Sequence, residues 1–182
     1  MPVFERTYHA VLLDDPDGQW ELHDGRLREK PGMSAEHNDG MFELGYQLRS
    51  QLDRASFRVR VNAGHVYRGT TTYFIPDVFV IPIEVEQTQR GVPGSLEFYG
   101  DPQPLVVEFW SKSTGLYDAD AKLPEYQRRG DLEIWRLHPY DRTLTAWRRR
   151  DDGTYAETVH TGVVRPVALP NVAIDLDALF AG

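Results

Sequence analysis

The sequence predicts a mixed α/β (α+β) fold, with helices flanking a mixed central β-sheet in one domain over residues 1–182. Three observations carry this. Several runs have strand periodicity, among them "FRVRV" (57–61) and "PLVVEFW" (104–110). Two amphipathic helical stretches interrupt them, "MSAEHNDGMFELGYQLRSQLDR" and "YDADAKLPEYQRRG". The resulting order is hairpin, helix, strands, helix, strands, which suits a sheet covered by helices.

The elements follow in turn. "QWELHDGRLREKP" reads as a hairpin about the favoured Asp24-Gly25 turn. Ser34 can cap the next helix, and Met41, Leu44, Leu48 and Leu52 recur at three- and four-residue steps as one apolar stripe, with Gly40 and Gly45 as weak points. In Phe57–Val61 the apolar residues alternate with Arg58 and Arg60. "FIPDVFVIP" follows as a strand, and residues 84–103 read as a long loop of glycines, prolines and charges. "PLVVEFW" is apolar on both faces, as in a sheet covered on two sides. The helix after it ends at Gly130, and Pro124 must delay or kink it because proline has no amide hydrogen. "LEIWRLHP" and "TLTAWRRRDDGTYAETV" supply three more strands, with a turn at Asp152-Gly153, and "NVAIDLDALF" reads as a closing helix.

Composition narrows the chemistry. With 41% hydrophobic residues among 182, the chain can bury a real core. No apolar run approaches the roughly 20 residues of a membrane span, and the N-terminus lacks a secretory pattern. There are no cysteines, so disulfides and thiolate metal sites are excluded, in keeping with a cytoplasmic protein. Any metal must take oxygen or imidazole ligands, which favours Mg2+ or Mn2+. The net charge of -8 argues against nonspecific coating of nucleic acid but leaves room for one local basic face. No phosphate-binding glycine loop, serine nucleophile motif or zinc pattern is present.

Two acids stand out. Asp77 heads Val78-Phe79-Val80-Ile81, and Glu108 interrupts Leu105-Val106-Val107 and Phe109. Alternation groups Ile75, Asp77 and Phe79 on one face, and Val106, Glu108 and Trp110 on another. If the two strands are neighbours, the acids face each other. Two buried carboxylates repel each other and lose hydration; a divalent cation removes both penalties. The plainer alternative gives Asp77 a turn-capping role and Glu108 an arginine partner.

Pro76-Asp77 followed by Glu108 in "VVEFWSKST" resembles the PD-(D/E)XK nuclease superfamily, with its restriction-endonuclease-like fold. More narrowly, "WELHDGRL", "MSAEH", "IPDVFVI", "LVVEFWSKST", "DADAKLPEYQRRGDLEIWRLHP" and "RTLTAWRRRDDGTY" resemble, in order, blocks of the Uma family of restriction-endonuclease-like proteins, over about residues 20–155. The resemblance implies that Asp77 and Glu108 bind the metal, with the Phe109 backbone carbonyl as a third ligand. The superfamily's lysine normally stands two residues after the second acid, where this chain has Trp110. The family places it on the following helix, where Lys122 matches. On a regular helix Asp118, Lys122 and Tyr126 then share a face. Lys112 is the rival, and an ordinary surface lysine paired with Asp118 is the plainer reading of Lys122. Glu21 matches a family acid and extends the metal shell, or is an exposed strand carboxylate. His37 matches "MSAEH" and reads as packing near the helix start. Arg128 and Arg129 could hold phosphates if they face the cleft; otherwise they are solvated charge.

These readings lead to a Mg2+-dependent (or Mn2+-dependent) endonuclease hydrolysing DNA phosphodiester bonds, with a homodimer as the default assembly. The rival is a silent nuclease-like fold that binds nucleic acid or protein, favoured by Trp110 at the lysine position and by the net negative charge.

Overall fold

The structure, a computed structural model, describes residues 2–113 and 115–181; Thr114, within the "LVVEFWSKST" block, lies outside the described residues. The elements in chain order are α1 (Glu5–Asp14), β1 (Trp20–His23), β2 (Arg26–Glu29), α2 (Ala35–Gln51), β3 (Phe57–Val61), β4 (His65–Arg68), β5 (Thr72–Phe74), β6 (Val78–Pro82), α3 (Ile83–Gln87), β7 (Phe98–Tyr99) and β8 (Leu105–Phe109). A continuous helical segment follows, made of α4 (Gly115–Tyr117), a π-helical turn (Asp118–Lys122) and α5 (Leu123–Arg129). Then come β9 (Glu133–His138), β10 (Thr143–Arg149), β11 (Tyr155–His160), β12 (Val163–Val164), β13 (Ile174–Asp175) and α6 (Leu176–Leu179).

The mixed α/β architecture is as predicted, but the strands divide between sheets. One sheet has the order β11-β10-β9-β8-β6-β3, with β8 and β9 parallel; the other has β2-β1-β5-β4-β7, with β4 and β7 parallel. The predicted "FIPDVFVIP" strand is split between them. Pro76 cannot donate to a ladder, so β5 ends in the five-stranded sheet and β6 begins in the six-stranded one. Asp77 sits at this crossing. The predicted loop 84–103 also carries structure. Its α3 turn buries Glu86 against Arg60 and Arg90, and β7 pairs with β4 at His65↔Phe98. Helix α1 has no counterpart in the predicted elements.

Elsewhere the local signals translate directly. The Asp24-Gly25 turn has φ of 48° and 74° at its two residues, as a two-residue hairpin requires. Ser34 Oγ accepts from the His37 amide, and Met41, Leu44, Leu48 and Leu52 are buried against Val78, Val80, Val107 and Phe109. A second core on the opposite face of β6 and β8 joins Phe79, Ile81 and Val106 to Phe74 and Tyr126.

Gly40 weakens α2 for a reason. A Cβ there would lie 2.5 Å from Phe109 Cε1, in the packed core. Gly40→Ala is therefore expected to destabilise the protein by about 1–3 kcal/mol, although alanine favours an exposed helix by about 1 kcal/mol. An unchanged or raised thermal midpoint would show that the ring yields freely.

His65 supplies a pH dependence. Burial pushes its pKa down from 6.5 to about 4, and its Nε2 is buried without a partner among the described residues. The unfolded chain therefore binds the extra proton first. The stability is complete above the unfolded pKa of about 6.5 and is lost as pH falls towards 4. Between pH 7.5 and 4.5 this amounts to about 2–3 kcal/mol. Urea unfolding of the wild type and His65→Phe at both values should show a loss larger in the wild type by about 2–3 kcal/mol; equal losses would remove His65 from the account.

Candidate active site

The pairing of β6 with β8 is antiparallel, with Val78↔Val107 and Phe79↔Val106 in register. One step further, the same register sets Asp77 beside Glu108, with both on the face that carries Phe79 and Val106. Here the two sheets meet, and side chains from both converge.

Asp77 is 1% exposed, and both of its oxygens are engaged. Oδ1 lies 2.6 Å from Lys30 Nζ. Oδ2 accepts the Phe109 amide at 2.7 Å and lies 2.9 Å from His37 Nε2. Burial alone would raise the Asp77 pKa, but Lys30 and His37 outweigh it and hold the carboxyl below the usual range. Lys30 also donates to Asn62 Oδ1 at 2.8 Å and to the Ile75 carbonyl at 3.0 Å. Its three donors thus meet three acceptors, which fixes it as a counter-ion.

The second half of the site centres on Lys122, which is 2% exposed. Its Nζ lies 2.8 Å from Glu21, 3.2 Å from Glu108 and 3.7 Å from Asp118. Tyr126 donates its hydroxyl to Glu108 Oε1. Glu21 Oε1 accepts the buried Ile75 amide at 2.9 Å, so the hairpin acid also anchors the start of the crossing. Burial works to strip the Lys122 proton, but Glu108, Glu21 and Asp118 together hold its pKa well above the ordinary lysine value. Burial pushes Glu108 well above the usual carboxylate range; Lys122 opposes this, and the charges of Asp77 and Asp118 add to it.

The helical segment reaches this centre through its π turn. The Leu123 amide bonds the Asp118 carbonyl five residues back, one residue before Pro124, which has no amide to give. The extra residue keeps Asp118, Lys122 and Tyr126 turned inward, and single π turns recur at functional sites.

The other sequence candidates fall in different places. Lys112 is exposed and has no ion pair or hydrogen bond among the described residues. Trp110 stacks on His138 with centroids 4.3 Å apart, and a Cβ on Gly115 would lie 2.2 Å from its Nε1. The indole therefore anchors the start of the segment that carries Lys122. The phosphate-binding reading is corrected for Arg129. Arg129 is buried and bonds Asp131 and the carbonyls of Tyr67, Tyr99 and Asp101, which leaves its donors occupied inside the fold. Arg128 is exposed and pairs with Glu125. His37 packs near the helix start, its ring centroid 5.6 Å from that of Phe109, and its Nε2 also lies close to Asp77. At Phe109 the amide is engaged with Asp77, and the ring lies on the opposite face, in the core beside α2.

Lys30 was missed by sequence reasoning. A signal existed: the chain has three lysines against seventeen arginines, and two of the three enter this cluster.

Among the described residues, no three His, Cys, Asp or Glu side chains are arranged to hold a metal ion as they stand. Ammonium groups fill the space between the acids. The donor chemistry nevertheless fits a hard divalent ion. Four buried carboxylates, Glu21, Asp77, Glu108 and Asp118, border a cavity of about 10 Å³, room for about one water. Three of them already surround one cation, the Lys122 ammonium.

A profile of Uma2, described as "putative restriction endonuclease", matches residues 5–177. The chain belongs to the Uma2 family. Among curated proteins none is significantly similar in sequence. The fold is shared with a crystal structure from Anabaena variabilis, described as a putative nuclease belonging to DUF820. The two superpose with a TM-score of 0.73 over 89% of each chain, at 15% sequence identity. Uma2 membership makes the protein nuclease-like and covers Glu21, Asp77, Glu108 and Lys122 within the matched span. Among the described residues, no helix is long and apolar enough to cross a membrane.

Proposed function

We propose that this Uma2 protein is a Mg2+- or Mn2+-dependent endonuclease that hydrolyses DNA phosphodiester bonds. One observation carries the reading: four buried carboxylates border one cavity, where they outnumber the cations, the ammonium groups of Lys30 and Lys122 and the guanidinium of Arg28 at the rim. Burying like charges is costly unless cations compensate them. Glu108, Glu21 and Asp118 would hold the ion together with Asp77. Bound there, a divalent ion would acidify a water and neutralise charge on phosphoryl oxygens. Lys30 would keep Asp77 ionised and aligned. Lys122, displaced from the acids, would orient the attacking water, and Tyr126 would fix the orientation of Glu108.

The test is incubation with supercoiled plasmid and with single-stranded DNA, with Mg2+, with Mn2+ and with chelator. Metal-dependent nicking is expected. Absence of nicking together with absence of Mn2+ binding by calorimetry would sink the enzyme reading and favour a silent binding module.

A further inference from the structure

We propose that Arg28 is the residue of this cavity that binds a phosphate of the nucleic-acid backbone. The inference rests on the nuclease reading and names what would hold its substrate. Arg28 is the cross-strand partner of Glu21 in the hairpin, so the two side chains share a face. Opposite charges so placed ordinarily pair. Here they do not, because Glu21 is engaged with the Ile75 amide and Lys122. The Arg28 guanidinium instead lies over the Tyr117 ring, 3.7 Å from its centroid. It has no ion pair or hydrogen bond among the described residues, in contrast to Arg60, Arg68, Arg128, Arg129 and Arg148, each bonded to a carboxylate.

The location gives this its meaning. Arg28 and Tyr117 line the same cavity as Glu21, Asp77, Glu108, Asp118 and Lys122. A guanidinium stacked on an aromatic face keeps the N–H groups of its edge free, in a fork that matches two phosphate oxygens. The Tyr117 hydroxyl is buried without a partner among the described residues, a second open donor at the same wall. A cavity bordered by four carboxylates repels a phosphodiester. A half-buried cation at its rim, held by stacking and not by an acid, offsets that repulsion without being consumed by it.

The test measures binding apart from cutting. Binding of a fluorescein-labelled duplex oligonucleotide is followed by anisotropy, with Ca2+ in place of Mg2+, over a series of KCl concentrations. Arg28→Ala should weaken binding about ten- to a hundredfold and flatten the salt dependence by about one phosphate contact. Arg28→Lys, which keeps the charge and loses the fork, should recover part of the loss. Tyr117→Leu should weaken binding by releasing the guanidinium, and serves as the second variant if Arg28→Ala does not fold. Calorimetry with inorganic phosphate is the parallel arm. Equal DNA affinity and salt slope in wild type and Arg28→Ala would overturn the inference and leave the nuclease reading standing. Phosphate binding that depends on Arg28, with no DNA binding, would support the Arg28 assignment and overturn the DNA reading. If the wild type binds neither, both fall.

Discussion

Asp77→Ala is expected to abolish metal-dependent cleavage and to destabilise the protein by about 3–5 kcal/mol. Both effects follow from the same contacts. The carboxylate joins Lys30, His37 and the Phe109 amide in a place almost closed to solvent. Alanine leaves a buried ammonium without its counter-charge and a buried amide without an acceptor. Asp77→Asn keeps the volume and can still accept from Phe109, so its stability loss should be smaller, about 1–3 kcal/mol, while cleavage is still lost. Plasmid nicking and urea unfolding of the two variants check this. Nicking by a folded Asp77→Asn at the wild-type rate would remove Asp77 from the metal shell.

Lys122→Ala should produce the other large effect, with a signature of its own. Removing this ammonium leaves Glu21, Glu108 and Asp118 without the cation they surround, at a cost of about 3–5 kcal/mol. A divalent ion can take that place. Mn2+ at a hundred times its dissociation constant should therefore return about 2.7 kcal/mol, visible as a rise in thermal midpoint. Cleavage should stay absent even in the stabilised, metal-loaded variant, because the group that orients the water is gone. Lys122→Arg should also fail, since a larger, permanently protonated fork does not fit a cavity of about 10 Å³. Lys112→Ala should cut normally. A result with Lys112 essential and Lys122 dispensable would show that the wrong lysine had been assigned. If Lys122→Ala cuts normally as well, the lysine plays no part in activating the water.

Much of the scaffold was legible from local rules. The stripe of α2, its Ser34 cap, the Asp24-Gly25 turn and the two-faced apolar strand β8 each depend on neighbours within a few residues. The two acids were legible for a related reason. Alternation sets the face of each residue, and an acid within an apolar run has few bland explanations.

The partners of those acids were not legible. Lys30 reaches Asp77 from 47 positions away, and the Ile75 amide reaches Glu21 from 54. Such contacts depend on how the hairpin lies against the crossing at Pro76, which no local periodicity encodes. The same holds for Arg129. Its basic neighbourhood suggested a phosphate, but carbonyls as far as 62 positions away consume its donors. Local sequence signals set most of the elements, though not α1, α3 or β7, together with their apolar faces and the residue types available to the site. The tertiary structure decided which charges are paired, because a buried ion settles on whichever partners the packed sheets bring within about 3 Å of it.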